Sequence, residues 1–318
     1  MHGDRPVIHV VAGVIRDPQG RVLITQRPHG KSLAGQWEFP GGKRAAGESR
    51  FEALKREFVE ELDLTVEQAR PLIRYRHDYP DLSVDLDVWQ IQAFRGEPRG
   101  LEQQAMDWVA PAALMAHDLL PADRPITVAL QLPERYLITG RFVTTQEFEA
   151  RLRAALESGI RLVQLRLPGL DLERVARLAG RASALCRAHA ARLVINGEPD
   201  AAAKLAVATG ADGIHLPSRC LGEVSRRPVP DDLLLGASCH SRAELTAALS
   251  LGADYALLSP VRHTSSHPER ECLGWAGFAE LVADLPLPTY ALGGMSDPDL
   301  RDAWHAGAVG IAAISAFW

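Results

Sequence analysis

Apolar and polar positions follow two different rhythms along this chain. The run VIHVVAGVI (7–15) predicts a strand, Gln19-Gly20 a turn, and RVLITQR the returning strand of a hairpin. A loop and a helix follow, then two strand-like runs, LIRYRHDY and VDLDVWQIQAF. The loop RGEPRGLEQQAM leads to a short DWVAP, and residues 111–131 read as helix and loop. This half predicts a mixed sheet with few helices.

After QLPER (131–135) strands and helices alternate at regular spacing. Strand candidates are YLITG (136–140), LVQLRL (162–167), RLVIN (192–196), GIHLP (213–217), LLLGASC (233–239), YALLSPV (255–261), PTYALGG (288–294) and GIAAISAF (310–317). Helical patterns such as QEFEARLRAALESG fill most gaps. Eight apolar strands with helical crossovers predict a (β/α)8 TIM barrel. Trp318 falls at the end of the eighth strand, so the barrel is expected to lack its last helix. That leaves an apolar strip on its outer wall, which we expect the other domain or a second subunit to cover. The class is α/β, with domains 1–133 and 134–318.

Composition narrows the partners. Hydrophobic residues make up 47% and charged residues 24%, so each half can bury a core. Net charge is −5 and no basic stripe appears, which argues against a nucleic-acid polymer. Cys186, Cys220, Cys239 and Cys272 form no C-x-x-C pair and read as reduced thiols, pointing to a cytoplasmic protein. The longest uncharged run, GAVGIAAISAFW, is well short of the ~18–20 residues that span a bilayer, so no membrane is expected.

The candidate chemistry lies in GGKRAAGESRFEALKREFVEELDL (41–64). Phe51, Leu54, Phe58 and Leu62 make a core-facing helical stripe, and Glu57, Glu60 and Glu61 share a neighbouring face. Like charges at that spacing repel, and Arg56 is expected to neutralise only one of them. On an arbitrary helix this would be a solvated acidic face. Beside Gly41-Gly42, where backbone can approach a ligand, it suggests an oxygen cage for Mg²⁺ or Mn²⁺.

This stretch resembles the Nudix box, G-x5-E-x7-R-E-U-x-E-E-x-G-U with U apolar, through Gly42, Glu48, Arg56, Glu57, Phe58, Glu60, Glu61 and Leu64. Asp63 replaces the second glycine, where a left-handed helix end is expected. The resemblance implies a Nudix α/β/α sandwich. ITQRP (24–28), QWEFPGGK (36–43), RGEPRGLEQQAMDWV (95–109) and LPADRPI (120–126) place it closest to the MutT type.

That likeness implies a metal site of Glu57, Glu60, Glu61, the Gly41 carbonyl and a distal Glu102. Glu48 and Arg56 join the catalytic group, Arg56 by orienting a carboxylate. Arg27, Glu38, Phe39, Pro40 and Gly41 would meet the nucleotide, together with Asp123. The implied reaction is hydrolysis of 8-oxo-dGTP to the monophosphate and pyrophosphate, which clears the nucleotide pool. Modified pyrimidine or 2-hydroxyadenine triphosphates are the alternative substrates, and nucleotide binding without cleavage is the alternative role. MutT-type enzymes carry an asparagine where this chain has Asp123. An amide donates to O6 and accepts from N7–H, whereas an ionised carboxylate only accepts. Asp123 is therefore protonated, or reads other donors of the base, or serves another base, or is simply an N-cap or solvated residue.

The second half resembles thiamine phosphate synthase and its thiazole tautomerase relatives, through VQLR, ADGIHLP, GASCHS, GADYALLSPVRHTSSH, ALGGM and GIAAISA in that order. The likeness implies a phosphate site at Gly293, Gly294 and Ser315, with hydroxyls from Thr264, Ser265 and Ser266. The synthase's lysine, Asp-Arg and further Asp are replaced by Pro168, Gly197-Glu198 and Leu216-Pro217-Ser218-Arg219, and Pro260 stands at the tautomerase histidine. We expect a barrel without synthase activity. His240, His263 and His267 lack a completing ligand at metal spacing.

Overall fold

The computed structural model describes residues 5–263 and 271–318, which divide into two compact units. The first comprises the residues up to Gln131 together with Ala283–Pro286; the second comprises Leu132–Val282 and Leu287–Trp318. No described helix is long and apolar enough to cross a membrane. All four cysteines are free thiols.

The first unit contains strands β1 (Val7–Val14), β2 (Val22–Gln26), β3 (Trp37–Glu38), β4 (Gly41–Lys43), β5 (Thr65–Asp78), β6 (Ser83–Arg95) and β7 (Met106–Val109). They form two sheets, β4-β1-β6-β5 and β3-β2-β7. β1 and β6 run parallel and the other neighbours antiparallel, so the larger sheet is mixed. The expected hairpin is only partly made. Gly20 N–H closes a turn on Asp17 and a bridge joins Arg16 to Val22, but β1 and β2 then enter different sheets. β1 already pairs on both sides, leaving no ladder edge for β2.

Helix α1 (Arg50–Leu62) buries Leu54, Phe58 and Leu62 in a core with Val11, Ile15 and Leu23, while Phe51 is only partly covered. It packs closely on β1: a Cβ at Gly13 would lie 2.3 Å from the Phe58 ring. A short helix, α2 (Arg124–Ala129), follows the 3₁₀ turn Pro121–Asp123.

The second unit is a closed parallel barrel. Its strands are β8 (Arg135–Ile138), β9 (Leu162–Leu165), β10 (Arg192–Asn196), β11 (Gly213–Leu216), β12 (Leu234–Cys239), β13 (Tyr255–Leu258), β14 (Thr289–Leu292) and β15 (Gly310–Ala313), with β15 pairing back onto β8. Helices α3 (Thr145–Glu157), α4 (Leu172–Ala188), α5 (Pro199–Thr209), α6 (Arg242–Ser250), α7 (Gly274–Val282) and α8 (Leu300–His305) fill the crossovers. Between β11 and β12 the described residues hold only a 3₁₀ turn, Ser218–Cys220. After β15 the chain makes a turn, with the Trp318 indole donating to Arg141 O at 3.0 Å.

The barrel interior is partly polar, and several of its polar side chains pair with one another. Tyr136 and Tyr255 hydroxyls lie 2.9 Å apart, Gln164 donates to Tyr136 at 3.0 Å, and His215 Nε2 meets Ser238 Oγ at 2.9 Å. Burial pushes His215 down to about 3, so it is a neutral packing element. Gly236 makes room for both rings: a Cβ there would lie 2.4 Å from the Tyr255 ring and 2.5 Å from His215 Nδ1. Gly236→Ala should therefore cost about 1–3 kcal/mol. A thermal melt of the full chain followed by tyrosine near-UV signal should show an earlier barrel transition; an unchanged one would refute this packing.

Candidate active site

Serine 49 starts α1 where the site needs it. Its hydroxyl accepts from Glu52 N–H at 3.2 Å and the Glu52 carboxylate accepts from Ser49 N–H at 2.9 Å, a capping box. The helix ends on Asp63 at φ 58°, ψ 34°, the left-handed conformation expected of a glycine position. Leu64 N–H then closes the end on Phe58 O at 3.1 Å.

Arg56 sits among the carboxylates. It donates to both Glu48 oxygens at 2.9 and 3.0 Å, to Glu57 at 2.8 Å, to Glu60 at 3.0 Å and to Lys43 O at 3.0 Å. Its planar fork of N–H donors serves three carboxylates at once while supplying a single positive charge. The charge balance remains one against three.

Glu61 points the other way. Its Oε2 accepts from Gly41 N–H at 3.1 Å. Burial pushes its carboxyl up to about 7, and the charges of Glu38, Glu57 and Glu102 push the same way. Gly41 has φ 150°, and a Cβ on it would lie 2.1 Å from Val11 O. At Gly42 a Cβ would lie 2.3 Å from Glu57 Oε2, so bare backbone lies directly under that carboxylate.

The loop after β6 brings Glu102 to this place. Arg99 and Leu101 N–H groups donate at 3.0 Å to the α1 carbonyls of Leu62 and Glu61, which a helix end otherwise leaves unpaired. Gln104 adds a bond to Glu61 O at 3.1 Å and accepts from Glu102 N–H at 2.9 Å. The Glu102 carboxylate is held by Lys31 at 2.6 Å. Sequence reading missed Lys31, because a single lysine in a glycine-containing loop carries no spacing signal.

With this geometry in view, the likeness to known proteins is decisive. Residues 11–129 match the NUDIX domain family, and residues 135–317 match the family Thiamine monophosphate synthase. Over 120 residues the chain is 38% identical to the 8-oxo-dGTP diphosphatase of Haemophilus influenzae, covering 38% of this chain and 88% of that one. The corresponding Escherichia coli protein is 32% identical over 124 residues, covering 39% and 96%. A protein of Aquifex aeolicus provisionally assigned as thiamine-phosphate synthase 2 is 36% identical over 188 residues, covering 59% and 99%. The chain belongs to the Nudix hydrolases through its first half and to the thiamine monophosphate synthase family through its second. The Nudix unit is a nucleotide pyrophosphohydrolase.

Nudix hydrolases generally use divalent metals, and the residues of this unit fit one. The donor set is all oxygen, Glu61 is crowded by like charge, and the missing Cβ of Gly42 leaves Glu57 against open backbone. Among the described residues no three acidic, histidine or cysteine side chains yet converge as a ready cage. Arg56 holds Glu57 and Glu60, and Lys31 holds Glu102.

At the end of β2, Arg27 is not a free surface charge. It pairs with Glu38 and donates to Ser32 O at 2.8 Å. Burial raises the Glu38 carboxyl against the lowering pull of Arg27. Phe39 is buried, and Pro40 O accepts from Gly13 N–H at 2.9 Å. Asp123 is only 4% exposed, and its Oδ2 accepts from Phe39 N–H at 3.1 Å. Burial pushes its carboxyl up to about 8, the Phe39 bond opposing. It makes no capping bond to α2, so the N-cap and solvated readings fall away.

In the barrel unit, Gly293 and Gly294 follow β14 with φ 108° and 67°, and Ser315 follows the adjacent β15 and is exposed. Cβ atoms on the two glycines would lie 2.9 Å from Pro260 Cα and from His263 O, so their backbone is closely packed. Thr264, Ser265, Ser266 and His267 lie outside the described residues. His240 Nδ1 lies 2.8 Å from Ser259 O. Glu198 pairs with Arg219 and accepts from the Cys220 thiol at 3.2 Å.

The Glu61 carboxyl ordinarily titrates at 4.5 and here at about 7, so folding takes up a proton between those values. The contribution of Glu61 to metal-free stability is then fully present below pH 4.5 and is lost as pH rises to about 7. Glu61→Gln should stabilise the chelator-treated protein by on the order of 1–2 kcal/mol above pH 7 and not below pH 4.5. Denaturant unfolding across that range checks the sign; equal effects at both ends would count against a strained carboxylate.

Proposed function

We propose that the Nudix unit hydrolyses 8-oxo-dGTP to 8-oxo-dGMP and pyrophosphate with Mg²⁺, removing an oxidised precursor before DNA synthesis. The observation that carries the base assignment is the burial of Asp123, only 4% exposed, which pushes its carboxyl up to about 8 and so favours the form with an O–H donor. A neutral carboxyl donates to O6 and accepts from N7–H, as an amide does. The two 8-oxo-dGTP diphosphatases that match this unit support the same substrate.

Glu57, Glu60, Glu61, Glu102 and the Gly41 carbonyl would hold the cation. Bound there, it would neutralise phosphate charge and acidify water. The chain's own part is positional. Arg56 orients Glu48, Glu57 and Glu60. A box carboxylate takes the proton of the attacking water as its oxygen bonds phosphorus and the bridging P–O bond breaks, releasing pyrophosphate. Arg27 and Glu38 meet the nucleotide beside Phe39 and Asp123, and the buried backbone at Phe39 fixes the carboxyl that reads the base.

The barrel unit is proposed to lack synthase activity. Pro168 stands where the lysine is needed, and Glu198, the nearest acid to the missing Asp-Arg, is tied to Arg219 and Cys220. Phosphate contact at Gly293, Gly294 and Ser315 remains its proposed chemistry.

Pyrophosphate release with Mg²⁺ from 8-oxo-dGTP, dGTP, 2-hydroxy-dATP and modified dCTPs tests the assignment, with Glu61→Gln as the blank. A preference for 8-oxo-dGTP of at least about tenfold is expected; preference for another base would move the substrate and keep the chemistry. Activity on 8-oxo-dGTP should fall as pH rises through about 8, where Asp123 loses its donor, among neighbours Glu38, Arg27, Tyr75 and Tyr79. Asp123→Asn should keep the activity and flatten that limb; a limb that persists in the variant belongs to another group.

A further inference from the structure

We propose that Lys31 is a phosphate-contacting residue of the hydrolase, parked on Glu102 until a cation takes that carboxylate. This rests on the metal-dependent hydrolase reading above. Its starting point is the 2.6 Å pair between Lys31 Nζ and Glu102 Oε2. Both side chains are exposed by more than 40%, and a pair of that kind contributes little to stability. The fold does not need it.

The loop that carries Lys31 is held by other bonds. Arg27 N–H donates to Gln36 O at 2.9 Å, Gly35 N–H to Arg27 O at 3.0 Å, and the Gln26 amide to Gly35 O at 2.8 Å. Arg27 Nε adds Ser32 O at 2.8 Å. Positive φ at Gly30, Leu33 and Gly35 folds the loop back on itself. The lysine is thus presented on a framed loop, with its ammonium free to change partner.

Its position is central to the charges that matter. The fields of Lys31 and Glu102 both reach Glu38, and that of Glu102 reaches Glu61. Two other cations near these carboxylates are already occupied: Arg27 by Glu38, and Arg56 by Glu48, Glu57 and Glu60. A triphosphate entering here adds several negative charges and needs a cation that can move. Lys31, with a single exposed partner, can pass from carboxylate to phosphate, whereas Arg27 and Arg56 are each held by several bonds.

Two opposite effects follow for Lys31→Ala. Without its competitor on Glu102, the nucleotide-free protein should bind Mn²⁺ about two- to fivefold more tightly. With cation present, affinity for α,β-methylene-dGTP should fall about five- to tenfold, and Lys31→Arg should restore most of it. Mn²⁺ binding to the full-length protein is read from the free-ion electron paramagnetic resonance signal, and nucleotide binding by calorimetry. Tighter cation and weaker nucleotide binding together support the proposal. Unchanged nucleotide affinity, or weaker Mn²⁺ binding, in Lys31→Ala overturns it. If wild-type protein neither binds Mn²⁺ nor releases pyrophosphate, the hydrolase reading itself fails, a result distinct from an unresponsive Lys31.

Discussion

Three box carboxylates and one guanidinium make the constraint on which the Nudix unit turns. Glu48, Glu57 and Glu60 all bond to Arg56, while Glu61 turns away to the Gly41 N–H. Such an arrangement holds only if the helix starts and stops in fixed places and bare backbone lies beneath it. The capping box at Ser49, the left-handed Asp63 and the glycines of β4 supply those conditions. Leu54 and Phe58, packed into the small gap at Gly13, fix the rotation of the helix and hence the direction of every glutamate.

Burial acts on two carboxyls of this unit. At Glu61 it raises the carboxyl, and the charges of Glu38, Glu57 and Glu102 raise it further. At Asp123 it raises the carboxyl against the lowering bond from Phe39 N–H. The same physical cause, loss of water around a carboxyl, favours the protonated form at both places.

The barrel unit shows the other use of buried polar groups. Tyr136, Tyr255, Gln164, His215 and Ser238 bond one another inside the closed sheet, so their polarity is satisfied internally. After β10, Glu198 is tied to Arg219 and to the Cys220 thiol.

Local spacing along the chain was enough to place all eight barrel strands, α1 with its acidic face, and the left-handed end at Asp63, because those features depend on residues close in sequence. The box also marked Glu48, Arg56, Glu57, Glu60 and Glu61 as one group. What spacing could not supply was pairing between distant segments. β1 and β2 part because β1 has partners on both edges, one of them far along the chain. Arg56 reaches three carboxylates because its fork lies between a helix face and a loop. Glu102 meets Lys31 because a loop caps the end of α1, and the Asp123 carboxyl is pushed up because segments on either side exclude water from it. Residue types alone set which chemistry was available here; tertiary packing, by removing water and bringing charges together, decided how those residues are paired and which carry a proton.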